Sequence, residues 1–416
     1  MMSETTPSPQ KIFLWNILGS LSTAAISVLL LLVVSRTLTD LEADIFSIAY
    51  AIGNLFVVIG LFQVRNFQST DMQPKYTFNE YFVARLLSCL GMLVAAGIYI
   101  WIKGYEGYKA VIILMICLYR LTDALSDVFQ GLFQQKQRLD IASKSLVYRN
   151  TIIFIIFTVS LIVSTNLVLA LTMVCIVSSL FVLVYDSKYA KNFANICIKH
   201  ISINRLISLF TDNLPLFLNG FLLVYIYNNP KYSLDKLLEL GSTEVGLQKD
   251  FNILFMPAFV MNLMMLFLRP IITKMAISYH HKEVKEFSML QKQMFLTLSL
   301  ASVVILISSF YLGIPVLSLL YNTDLTSYHT VFMILMFGGV LSSFATIFDN
   351  ILTVIRAQKF LVISYVAAFG ISILTSDYFV LSYQILGASL SFLLAMCVWL
   401  VMSAIIYRFI KNKKIE

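Results

Sequence analysis

Twelve hydrophobic stretches, each about as long as a bilayer crossing, fill most of this chain and leave only short connections between them. A hydrocarbon core of about 30 Å takes about 20 apolar residues per helical crossing. The stretches run Ile12–Ser35, Ile45–Val64, Tyr81–Ile102, Ala110–Phe133, Leu146–Thr165 and Leu167–Tyr185. After a polar connection they continue as Leu206–Tyr227, Val245–Leu268, Met294–Gly313, Tyr328–Phe348, Phe360–Thr375 and Leu381–Tyr407. None alternates as a barrel strand does, and isolated strands cannot satisfy their backbone groups in lipid, so an all-α integral membrane protein is expected. The composition, 59% hydrophobic and 12% charged, agrees; soluble domains carry roughly 25% charged residues.

The basic residues orient the chain. Of 30 Lys and Arg, 23 fall in alternate connections on one side and five, Arg36, Lys103, Lys109, Lys231 and Lys236, on the other. Cytoplasmic connections retain Lys and Arg, so the basic side is the cytoplasm and both termini lie there. The net charge of +8 is this bias facing anionic headgroups, and no basic segment is organised to bind nucleic acid. The first stretch is too long for a signal-peptide core and stays as a span. Cys89, Cys117, Cys175 and Cys397 lie in spans and Cys197 in a cytoplasmic connection, which argues against disulfides and thiolate metal sites. The four histidines are scattered and read as solvated.

Two similar halves are expected: a six-helix bundle over residues 1–185, a cytoplasmic linker over 186–205, and a second six-helix bundle over 206–416. In each half the second span ends in Arg, Val64-Arg65-Asn66 and Leu268-Arg269-Pro270, and the fourth carries an Asp before its cytoplasmic exit, Asp127 and Asp349. Copies in one orientation imply a pseudo-two-fold axis along the membrane normal with a substrate path between the halves. The longest outer connection, Asn228–Glu244, contains KYSLDKLLEL and reads as an amphipathic helix on the outer surface.

Charges inside the spans mark candidate sites. Arg120, Asp123 and Asp127 share one face of the fourth span at i, i+3 and i+7, with Arg120 near the midplane. An ionisable group there costs at least about 2.5–3.5 kcal/mol and must face protein or water. One reading is an internal Arg120–Asp123 pair that neutralises itself; the other is an arginine free to attract an anion. Arg65, Arg85 and Arg149, with Arg269, cluster toward the cytoplasmic ends and suit bidentate phosphate contact. Asp123, Asp127, Asp212 and Asp349 are candidates for coupling Na+ or H+ or for tuning these arginines. Pro215 and Pro257 free backbone carbonyls within spans and are candidate hinges. Lys249 and Asp250 read as inside or at the outer edge of the eighth span.

No GxxxxGK[ST], HExxH or GxSxG segment is present, and no long outer loop is available to carry catalytic groups. No cofactor is implied and no enzyme is expected. Gln63–Asp71, QVRNFQSTD, and Ser126–Arg149, SDVFQGLFQQKQRLDIASKSLVYR, resemble Wzx-type (RfbX-like) polysaccharide flippases of the multidrug/oligosaccharidyl-lipid/polysaccharide exporter superfamily; LRPIITKMA at Leu268–Ala276 is the match in the second half. The resemblance implies twelve helices in two rocking bundles, a bacterial plasma-membrane location, and transfer of undecaprenyl-diphosphate-linked oligosaccharides to the outer leaflet for a surface polysaccharide such as capsule or O-antigen. It implies cationic cavity residues holding the diphosphate, with membrane lipids and the pathway's polymerase and glycosyltransferases as neighbours. The alternatives are a multidrug/cation antiporter of the related branch, in which acidic cavity groups should dominate, and a polysaccharide polymerase, which should carry a large outer loop.

Single cysteines at Lys103, Lys231 or Asp377 in a cysteine-free background should react with an impermeant thiol reagent added outside, and one at Lys191 should not; the opposite pattern inverts the topology.

Overall fold

The computed structural model describes residues 8–70, 75–195, 201–261 and 264–414, all in helices, turns or short connections. The chain divides into two compact units, Met1–Phe221 and Leu222–Glu416. The division falls within a helix, whereas the sequence reading put it in the 186–205 connection.

The first unit contains α1 (Pro9–Thr37), α2 (Asp40–Leu61), the short α3 (Val64–Thr70), α4 (Phe78–Lys103), α5 (Gly107–Gln135), α6 (Leu139–Ser164) and α7 (Leu167–Ala190). Two starts are set locally: Thr39 with Glu42, and Thr77 with Glu80, form reciprocal capping boxes at α2 and α4, satisfying orphan amides at the first turn. α5 is the hub, packed against α2, α3, α4, α6 and α7. Small residues let the helices close in on it. A Cβ on Gly53 of α2 would sit 2.6 Å from Ile116 Cγ2 and 3.4 Å from Arg120 Cγ.

α8 (Ile203–Glu239) begins in the first unit and ends in the second. The second unit continues with α9 (Leu247–Val260), α10 (Met264–His280), α11 (Val284–Tyr321), α12 (His329–Val354) and α13 (Leu361–Lys414). α13 is two spans joined at Gln384, whose φ of 48° breaks the helix. The core of the second unit includes Tyr227, Phe251, Phe255 and Phe392.

Nine helices among the described residues are apolar and long enough to cross a membrane. The other three crossings are α5, whose charges lower its hydropathy, the pair α9 and α10, and the second arm of α13. The described residues are therefore all-α and multi-pass, with twelve candidate crossings.

Three expectations change. The second span does not run straight to Arg65: α2 stops at Leu61, Phe62 and Gln63 take left-handed φ of 39° and 54°, and α3 resumes at Val64. The Phe62 ring, stacked on Phe217 at 4.3 Å and edge-on to Phe210 at 4.9 Å, holds this break. No separate helix lies along Asn228–Glu244, because α8 continues to Glu239 and every residue from 226 to 235 is buried. Asn229 is anchored inside the unit: its amide donates to Ser372 O and to the Ser372 and Ser376 hydroxyls at 2.9–3.0 Å. Lys231 is consequently buried beside the Phe255 ring, which leaves Lys103 and Asp377 as the outer labelling positions. Third, the linker expected to begin at Asp186 begins later, since α7 extends to Ala190 through a π-turn at Val182–Asp186. Cys197 and His200 lie outside the described residues.

Gly53→Val should cost about 1–3 kcal/mol through overpacking, read as a lower melting temperature in detergent. Gly97→Val should be close to neutral, because a Cβ there meets nothing within 4 Å.

Candidate functional site: a ladder of guanidiniums on α5

Arg120 is in the middle of α5, and its polar face continues toward the C-terminal end of the helix through Asp123, Asp127, Gln130 and Gln134. At 1.5 Å per residue this stripe is about 21 Å long. Alternating steps of three and four residues keep the five side chains on one face.

Two ion clusters stand on the stripe. In the upper one, Asp123 lies between two arginines: Oδ2 accepts from Arg120 Nη1 and Oδ1 from Arg149 Nη2, both at 2.7 Å. Arg120 also donates to Asn54 of α2, and its guanidinium lies 4.7 Å from the Tyr50 ring centroid. In the lower cluster Asp127 is shared in the same way: Oδ2 accepts from Arg85 Nη2 at 2.7 Å and Oδ1 from Arg65 Nη1 at 3.2 Å. Arg65 continues to Gln130 Oε1 at 2.7 Å and Gln134 Oε1 at 3.2 Å, and Arg85 to Gly60 O at 2.6 Å. The turn at Phe62–Gln63 is what brings α3, and so Arg65, against α5.

The internal Arg120–Asp123 pair foreseen in the sequence therefore exists, but it does not neutralise the site. Four guanidiniums meet two carboxylates, which leaves an excess of positive charge. The four arginines are not equivalent. Arg85 and Arg149 side chains are 0% and 3% exposed, whereas Arg120 and Arg65 are 15% and 26% exposed. Arg85 and Arg149 thus hold the aspartates from behind, contrary to the expectation that all four line a cavity. Arg65 and Arg120 are the two that keep exposed surface.

The remaining candidates fall elsewhere. Asp212, on α8 within the first unit, pairs with Lys75 Nζ at 2.6 Å and accepts from Tyr76 Oη at 2.8 Å; at 31% side-chain exposure it is a surface clamp apart from the ladder. Asp349, in the second unit, is buried and accepts from Tyr365 Oη at 2.6 Å and Ser403 Oγ at 3.3 Å. Arg269 belongs to α10, but its side chain lies outside the described residues. Pro215 lies within α8, shortly before the unit boundary, and Pro257 within α9. Lys249 is buried, 3.6 Å from Asp250 Oδ1. Sequence reading missed Tyr50 and Asn54, which the i, i+4 spacing on α2 would have put on one face, and Gln130 and Gln134, which extend the stripe's own spacing. It also missed Asp186.

No family model matches the chain. An inward-facing multidrug resistance MATE family transporter of the MOP superfamily superposes with a TM-score of 0.73 at 12% identity, covering 94% of this chain and 96% of that one. A MOP superfamily transporter from Pyrococcus furiosus, described as having a binding pocket of reverse polarity that suggests a different function, gives 0.62 at 12% identity over 98% and 96%. The chain is thus a helical multi-pass membrane protein that shares its fold with these two transporters. In sequence it is 26% identical over 398 residues to the capsular polysaccharide biosynthesis protein CapF of Staphylococcus aureus, covering 94% of this chain and 96% of that protein. That similarity agrees with the Wzx-type resemblance carried by QVRNFQSTD and SDVFQGLFQQ.

Asp127→Asn should leave two guanidiniums uncompensated, one of them fully buried, and cost about 3–5 kcal/mol. Thermal unfolding of the purified protein should show this loss, and the double variant Arg85→Met/Asp127→Asn should recover part of it. An Asp127→Asn protein as stable as the parent would contradict the shared-carboxylate geometry.

Proposed function

We propose that this protein is a flippase that carries undecaprenyl-diphosphate-linked oligosaccharide repeat units from the cytoplasmic to the outer leaflet for a surface polysaccharide, by alternating access. The observation that carries the reading is the net positive ladder on α5, whose two more exposed members are arginines. A diphosphate crossing the hydrocarbon region needs compensation for its charge, and a midplane arginine needs an anion or water for the same reason. Planar guanidiniums supply bidentate contacts to phosphate oxygens that an ammonium does not. In this proposal Arg120 and Arg65 touch the diphosphate, and Arg85 and Arg149 position them through Asp127 and Asp123. The polar stripe from Gln134 up to Arg120 gives the headgroup a graded path inward.

A multidrug or cation antiporter shares the fold. Its cargo would want unpaired acids, and here Asp123 and Asp127 are each held by two guanidiniums, so they are proposed to tune the arginines and not to couple an ion. Asp349, with hydroxyl partners in the second unit, is kept as the proposed ion-coupling acid there, and Asp212 as a brace for the connection before α4. Pro215 and Pro257 are the proposed hinges. The proposed setting is the bacterial plasma membrane with both termini cytoplasmic, beside the polymerase and glycosyltransferases of the same pathway.

The test is complementation of a strain lacking its flippase. The parent protein should restore surface polymer. Arg120→Ala should abolish it at normal protein level, and Arg120→Lys should restore only a part. Normal export by an Arg120→Ala/Asp123→Asn double variant would sink the substrate-binding role of Arg120.

A further inference from the structure

Asp186 has no role in the site as proposed so far, yet it is fully buried where α7 loosens into its π-turn. Such turns within α-helices gather at functional positions. Its carboxylate accepts from Ser126 Oγ of α5 and Ser145 Oγ of α6, both at 2.6 Å. No basic side chain pairs with it among the described residues. Ser126 accepts in turn from Gln130 Nε2 at 3.0 Å, and Gln130 Oε1 accepts from Arg65 at 2.7 Å. An unbroken chain of hydrogen bonds therefore joins a buried carboxyl to the exposed end of the ladder.

The groups facing Asp186 are few. From α5 there is Ser126. From α6 there are Ser145 and Arg149, the one cation acting on it, which is already bound to Asp123; Asp140, nearer the start of α6, is held by Arg138 at 2.9 Å. From its own helix come the rings of Tyr185 and Tyr189.

We infer that Asp186 is a proton-binding site, ionised while the arginine ladder is empty and protonated while a diphosphate occupies it, so that one proton is taken up with each diphosphate bound. The inference rests on the diphosphate reading above. Its warrant is charge balance. Four guanidiniums against two shared aspartates leave two positive charges, and an ionised Asp186 reduces this to one. A diphosphate linked at both ends brings one negative charge per phosphoryl group. The filled cluster is then neutral only when Asp186 is protonated, and a buried charge without compensation is strongly disfavoured. The proton comes from water onto the carboxylate and returns to water when the diphosphate leaves.

The hydrogen-bond chain supplies a physical link between the two events. On protonation the carboxyl turns from acceptor to donor. A hydroxyl that had donated to it must reorient; where that hydroxyl is Ser126, the Gln130 amide that ties Ser126 to Arg65 loses its fixed setting. Arg65 is then released toward the phosphate.

The test is titration calorimetry of the purified full-length protein in buffers of different ionisation enthalpy. The probe is citronellyl-diphosphoryl N-acetylglucosamine, a diester whose charge does not change near neutrality. The parent protein should take up about one proton per ligand, with affinity falling about tenfold per pH unit across that range. Asp186→Asn should bind with a flat pH profile and no uptake. Binding without uptake in the parent, or unchanged uptake in Asp186→Asn, overturns the inference and leaves the diphosphate reading standing. Absence of binding by the parent overturns both. Should Asp186→Asn fail to fold, Ser145→Ala keeps the carboxyl but removes one donor to its charged form; uptake should then persist to a higher pH, and an unmoved profile overturns the inference.

Discussion

Each of the two aspartates on α5 lies between two guanidiniums, and this sharing governs how the first unit is built. Arg85 reaches Asp127 from α4, Arg65 from α3, and Arg149 reaches Asp123 from α6, so three helices are tied to α5 through two carboxylates. In lipid there is no hydrophobic force to press helices together, and polar contacts and close approach take over that role. Gly53 supplies the close approach beside Arg120, and Gly60, whose carbonyl accepts from both Arg85 and Ser88, supplies a polar one. The same contacts that fix the bundle leave it with surplus positive charge in its interior. On the proposed reading, structural and functional demands are met by one set of residues, and a change to any member acts on both.

A self-neutralising ion pair and a binding site differ in stoichiometry. A lone Arg120 with Asp123 would be a closed pair. Adding Arg149 makes Asp123 insufficient, and adding Arg65 and Arg85 does the same to Asp127. On the proposed reading the buried arginines act at a distance from the ligand: they occupy part of each carboxylate and so weaken its hold on the more exposed guanidinium. An anion arriving at Arg65 or Arg120 competes against a carboxylate already engaged elsewhere, a smaller opposing interaction than a dedicated pair would present. The Tyr50 ring under Arg120 favours the same outcome, because it stabilises the cation without a counter-charge.

Much of this was legible in the sequence, and the limits have physical causes. Arg120, Asp123 and Asp127 could be put on one face from spacing alone, because helical periodicity is rigid over two turns. Spacing does not say which of two arginines is buried behind a carboxylate, so Arg85 and Arg149 were read as lining a cavity. Asp186 was read as the start of a linker because it follows an apolar run and precedes Ser187-Lys188; what keeps it inside is the pair of serines on α5 and α6, a tertiary fact with no local signature. Asn228-Asn229-Pro230 has the composition of a turn, yet the helix runs through it, with Asn229 anchored on Ser372 and Ser376. The break before Arg65 was invisible for the opposite reason: Phe62 is a residue that rarely takes a left-handed φ, and it does so here against Phe217 and Phe210.

The central claim is that the basic ladder on α5 exists to carry a diphosphate through the membrane. It is tested most directly in proteoliposomes holding a fluorescent polyprenyl-linked disaccharide, joined in one preparation by a diphosphate and in the other by a monophosphate, with the fraction reaching the opposite leaflet followed over time. The account requires the diphosphate-linked lipid to move faster, and the difference between the two lipids to vanish in Arg120→Ala. Equal rates for the two lipids, or movement of neither alongside export of organic cations, would contradict it.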